Sequence, residues 1–288
     1  MRETSNPVFR SLPKQQGGYA QFGSGATGAA AQQVQQGYGA EPYIDQRQTG
    51  VSRPLTIDDV VTKTGITLAV LSVVAIVSYY LVSTNLALAG PFALVGALGG
   101  LGLVLFATFG RKQDNPAIVL SYAALEGLFL GAISFLLANF TIGGNLNANA
   151  GALIGQAVLG TIGVFAGMLV VYKTGAIRVT PKFTRMLFAG MIGVLVLMLG
   201  NLLLGMFGVG GGAGLGLRSG GPIAIIFSLV CIGIAAFTFL IDFDAADQMI
   251  RAGAPAKAAW GIALGLTVTL VWLYLEILQL LRYFQGGR

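Results

Sequence analysis

"PIAIIFSLVCIGIAAFTFLIDFDAADQMI" occupies residues 222–250, and its first seventeen residues, Pro222 to Thr238, carry no charge. With its apolar continuation to Ile241 the stretch has the ~20 residues a helix needs to cross a hydrocarbon layer ~30 Å thick. Three aspartates, Asp242, Asp244 and Asp247, stand where that segment is due to end. Either they mark a helix leaving the membrane or they belong to a site.

The rest of the chain repeats the pattern. Only 10% of the 288 residues are charged and 55% are hydrophobic, too apolar a balance for a water-soluble core. Seven segments are long enough to span: Thr62 to Val82, Pro91 to Phe109, Ala117 to Asn139, Gly151 to Tyr172, Met186 to Phe207, Pro222 to Ile241 and Ala258 to Phe284. The runs are continuously apolar, whereas β-barrel strands are short and alternate. The fold class is therefore an all-α polytopic membrane protein, a seven-transmembrane-helix bundle over residues 55–288.

Residues 1–54 differ in kind. "QQGGYAQFGSGATGAAAQQVQQGYG" is Gly, Gln and Ala without apolar periodicity, a composition that cannot offset its ordering entropy, and is expected to be a disordered cytoplasmic tail. No signal peptide is expected, because the first ten residues are polar. "LTIDDVVTK", Leu55 to Lys63, reads as a short amphipathic helix capped by Thr56.

Lys and Arg set the orientation, because positive loops stay cytoplasmic. Fourteen fall on the N-terminal side, including Arg111, Lys112, Lys173, Arg178, Lys182, Arg185, Arg251 and Lys257; three, Arg218, Arg282 and Arg288, fall on the other. The N-terminus is expected inside and the C-terminus outside, in a cell membrane of the bacterial inner-membrane kind. This asymmetry and attraction to anionic headgroups account for the net charge of +6 without nucleic acid.

The chain has no histidine and a single cysteine, Cys231. Internal disulfides, thiol metal clusters and every histidine-dependent mechanism are excluded, and no Walker loop is present. No cofactor is expected, and the sequence defines no metal site.

Acids inside the membrane are costly, at least ~2.5 kcal/mol for Asp at a helix centre, and face a cavity or a partner. Glu126 lies ten residues past Pro116, ~15 Å into the bilayer; Glu276 lies in the seventh segment, and Asp242 and Asp244 end the sixth. Thr269, Trp272, Glu276, Gln279 and Tyr283 share one helix face, as do Ser228, Cys231, Ala235, Thr238 and Asp242. Such stripes also suit close helix packing, as do "GALGG" (96–100), "GLFLG" (127–131), "GVFAG" (163–167) and "GIALG" (261–265). "GVGGGAGLGLRSGG", residues 208–221, follows no strand and reads as a flexible outer loop. Carboxylates are hard ligands for cations such as Ca²⁺, and a carboxyl in apolar surroundings holds its proton to higher pH, which suits a pH-sensitive cation pathway or a proton relay.

"YAALEGLFLGAIS" (122–134), "FLIDFDAADQMI" (239–250) and "LYLEILQLLRYF" (273–284) together resemble the Bax inhibitor-1 family, a transmembrane Bax inhibitor motif protein of bacterial type, from about Val60 to Phe284. The resemblance implies a seven-helix bundle, a pH-sensitive calcium leak and a pair of sensing acids on the last two helices, carried onto Asp242 and Glu276. It also implies, for some bacterial members, association with a membrane-bound protease, so a regulatory protein that binds a membrane partner is the alternative function.

Asp242 and Glu276 are 34 residues apart, wider than the family's usual pair, and the second acid is Glu where Asp is common. Straight helices would set the two carboxyls roughly 20 Å apart in height. Asp242 is thus expected to be the site acid. Asp244 either shares that role or pairs with Arg111, Lys112 or Arg185; Asp247 is a solvated helix-end acid; Glu126 and Glu276 form an upper acidic station. Catalysis is not expected, because intramembrane aspartyl chemistry needs two adjacent acids. The expected partners are the lipid bilayer and calcium or protons.

Overall fold

The structure, a computed structural model of the chain, describes residues 53–140 and 150–286. The expected tail, residues 1–54, lies outside the described residues but for Arg53 and Pro54. Seven helices follow in chain order: α1 Ile57–Thr84, α2 Ala89–Phe109, α3 Pro116–Asn139, α4 Ala150–Thr174, α5 Pro181–Met206, α6 Pro222–Arg251 and α7 Ala259–Gly286. All seven have the length and hydropathy to cross a membrane, and among the described residues there is no strand.

Local chemistry explains where these helices begin. Proline opens α3, α5 and α6, where its missing N–H costs no hydrogen bond. Thr56, Asn115 and Thr180 cap α1, α3 and α5 through side-chain oxygens that accept from backbone N–H groups. At α1 the cap is reciprocal: the Thr56 side chain accepts from the Asp59 N–H, and the Asp59 carboxylate accepts from the Thr56 N–H. The "LTIDDVVTK" stretch is therefore not a separate amphipathic helix. Its cap is where expected, but residues 57–63 are the first turns of α1 itself.

The first described residues are fastened to the turn between α6 and α7. Pro54 bridges Pro255, the Leu55 N–H donates to the Ala254 carbonyl (2.8 Å), and the Ala256 N–H donates to the Arg53 carbonyl (2.9 Å). Arg53 also pairs with Asp59 at 2.7 Å. These bonds place the start of α1 and the α6–α7 turn at the same end of the bundle. At the opposite end Arg282 of α7 donates to the Phe140 carbonyl just past α3.

α7 is the axis, packing against α1, α3, α4 and α6, while α1 and α2 pack on α3 and α5 leans on α6. Glycines set two of these contacts. A Cβ on Gly127 would come within 2.7 Å of the Leu71 carbonyl oxygen on α1, and one on Gly96 within 2.6 Å of the Leu125 carbonyl oxygen. The other two glycine motifs do not act this way: Gly163, Gly167 and Gly265 face open space, and Gly261 makes only ordinary contact with Gln113. Large apolar side chains such as Ile76, Leu98, Leu159 and Ile192 point outward, as lipid-facing residues should. Phe165 of α4 stacks edge-on against Phe239 and Phe243 of α6, fixing α6 beside the position of Asp242.

Candidate functional site: the seam between α6 and α7

α6 does not end at Ile241. It continues to Arg251, ~45 Å in all at ~1.5 Å per residue, so all three aspartates are inside the helix. Aspartate is only a mild helix breaker, and the turn is made later by Gly253, whose φ of 65° glycine adopts without strain.

Both expected stripes face into the protein. On α6, Ser228, Cys231 and Ala235 are fully buried; on α7, Thr269, Glu276, Gln279 and Tyr283 are buried. The small α6 residues let α7 approach, so the polar atoms of α7 are shut into a narrow seam. Two carboxylates occupy it at different levels.

At the lower level the Thr269 hydroxyl donates to Asp242 Oδ2 at 2.8 Å. The same hydroxyl lies 3.2 Å from the Gly265 carbonyl, so it has a second acceptor at hand. No cation pairs with Asp242 among the described residues.

At the upper level Glu276, 2% exposed, is gripped by Arg218 from the loop between α5 and α6. The guanidinium donates from both terminal nitrogens, at 2.7 Å to Oε1 and 3.2 Å to Oε2, the fork geometry that makes Arg–carboxylate pairs strong. Burial disfavours the charge on Arg218, but the hydrogen bonds and charge of Glu276 outweigh it and hold the group above its ordinary range. Arg218 also lies over the ring of Phe227, 5.7 Å from its centroid, and beside the buried Tyr283 hydroxyl. The Ser228 hydroxyl is buried without a hydrogen-bond partner.

Asp242 and Glu276 therefore do not pair. On α7 the partner of Asp242, Thr269, is seven residues from Glu276, about 10 Å of helix rise. The offset is about half the straight-helix value because α6 runs nine residues beyond Asp242, so α7 starts well below that acid.

The upper station of Glu126 and Glu276 is not formed either. Glu126 lies between α2 and α3 with an oxygen against Gly100, while Glu276 is bound to the α5–α6 loop. Asp244 takes its hydrogen bond from Gln248 on its own helix at 2.6 Å, not from Arg111, Lys112 or Arg185. Asp247 pairs with Arg251 at 2.8 Å and accepts from the Tyr172 hydroxyl at 3.3 Å. Among the described residues no three acids or cysteines gather as a metal site would require.

Two functional partners were not singled out as such by the sequence. Thr269 stood on the α7 stripe as a polar residue without a role. Arg218 counted only as an outer-side cation, although it is the lone charge in a glycine loop and Glu276 the lone acid near that end.

Seven apolar helices around a buried polar seam make this a multi-pass membrane protein. The chain belongs to the family described as Bax inhibitor 1 like, whose model matches residues 6–286. The match starts well before Val60 and so takes in most of the N-terminal stretch that the motifs alone left outside. Comparison with curated proteins gives no match.

Proposed function

We propose that this protein is a pH-sensitive cation leak channel or transporter, calcium being the cation to test first, whose inner acid is Asp242. The protein sits in the cell membrane with its N-terminus inside. The observation that carries the reading is the contact between Asp242 and Thr269: a carboxyl in the helix seam whose partner is a hydroxyl rather than a cation.

Such a contact responds to a proton. With the carboxylate charged, the Thr269 hydroxyl must donate to it, since the acid has no hydrogen to give. With the carboxyl protonated, the acid can donate to Thr269 Oγ1, and the hydroxyl can turn its hydrogen to the Gly265 carbonyl. One proton thus removes a charge from the seam and reverses a hydrogen bond joining α6 to α7. The charged form attracts a cation and the neutral form does not, so the change couples pH to cation occupancy.

Glu276 is the outer acid of the same seam, with its charge balanced by Arg218. Glu126 acts at the separate α2–α3 interface, and Asp244 serves the inner mouth. Reconstitution in liposomes containing a calcium-sensitive dye tests the reading. Wild type is expected to leak calcium in a pH-dependent way, and Asp242→Asn to lose the pH dependence. Well-folded wild type with no flux above empty liposomes would sink the channel reading and leave the membrane-partner function, a protease among the candidates, as the one to pursue.

A further inference from the structure

The loop that supplies Arg218 is fastened rather than open. Its Leu215 N–H donates to Asn201 Oδ1 at 2.8 Å, and Leu217 is buried against Val194, Phe227 and Cys231. Arg218 follows directly, its side chain one-third exposed while its partner Glu276 is shut away. Gly216 and Gly220, with φ of 75° and 87°, let the chain turn in and out again on either side. Arg218 thus joins the outer surface to the seam through a single short segment.

We propose that the α5–α6 loop latches the outer end of the α6–α7 seam through the Arg218–Glu276 pair, so that withdrawing the guanidinium opens that end and leaves the Glu276 charge unbalanced. The latch rests on the cation-pathway reading for its purpose, but its test does not use flux.

Cys231, the only cysteine, is fully buried in the Leu217 cluster and within electrostatic reach of both charges, so the natural chain carries its own reporter. In nanodiscs, where both faces are accessible, the labelling rate of Cys231 is measured with a cationic trimethylammonium-ethyl and an anionic sulfonatoethyl methanethiosulfonate. Wild type is expected to label slowly with both. Arg218→Gln is expected to label faster, with the cationic reagent favoured by about tenfold, the scale on which a focused charge concentrates counter-ions. Added salt should then slow the cationic reagent by screening the Glu276 charge. The double variant Arg218→Gln/Glu276→Gln is expected to be fast without charge preference.

Removing one partner of a buried pair can prevent folding. Leu217→Ala, which keeps both charges and loosens only the loop, is the second arm and is also expected to speed labelling. Wild-type rates in Leu217→Ala and Arg218→Gln, or a cationic preference that survives in the double variant, would overturn the latch. A protein that labels as expected but passes no cation would fail the channel reading and leave the latch standing.

Discussion

Thr269 bears more on the chemistry of the seam than its small size suggests, because its hydroxyl is the hydrogen-bond donor to Asp242. A valine there has the same shape and no hydrogen to give. Thr269→Val is expected to cost about 1–3 kcal/mol, the range for a buried acceptor left unpaired, whereas Thr269→Ser keeps the bond and should cost less. Thermal unfolding in detergent measures the difference. On the proposed mechanism the same pair separates in function: Thr269→Ser leaks with the wild-type pH dependence, and Thr269→Val does not. Equal pH profiles for the two variants would show that the hydroxyl plays no part in the response.

At the scale of single helices, the glycine motifs divide into those that set a contact and those that do not. α3 reaches α1 because Gly127 and Gly131 have no Cβ, and Ser78 of α1 then donates to the Leu128 carbonyl at 2.7 Å. Gly127→Ala is expected to destabilise the protein by roughly 1–3 kcal/mol, since the added carbon meets backbone rather than a movable side chain. Gly163→Ala and Gly167→Ala meet nothing, and each is expected to be neutral or stabilising by up to about 1 kcal/mol from helix propensity. Comparing melting temperatures of the three variants checks this. The four motifs look alike in sequence, and spacing alone could not separate them, because a glycine's role depends on whether another backbone lies opposite.

For the molecule as a whole, seven spans put the start of α1 and the end of α7 on opposite faces of the membrane. In the orientation proposed from the charge bias, the face of Arg111 and Lys112 is the cytoplasmic one. In a Cys231→Ser background, Lys112→Cys is expected to be protected from an impermeant thiol reagent applied to intact cells, and Leu215→Cys to be labelled. The reverse pattern would invert the orientation and place the Arg218 latch on the inner side.

The sequence by itself determined the solvent, the number of spans and the stripes that turn inward. These follow from properties that add along a chain: the apolar length needed to cross lipid, the excess of Lys and Arg on alternate loops, and the 3.6-residue turn that gathers Thr269, Glu276 and Tyr283 on one side. It also marked Asp242, Glu276, Glu126 and Asp244 as the acids to watch. Only the tertiary structure decided what each of them touches. The length of α6 past Asp242 shifts the register by nine residues, so Thr269 and not Glu276 meets that acid. A folded glycine loop carries Arg218 across 58 residues of sequence to Glu276, and α2 draws Glu126 away to another interface. Pairing across helices depends on register and on loop path, and neither is written in the local pattern of apolar and polar residues.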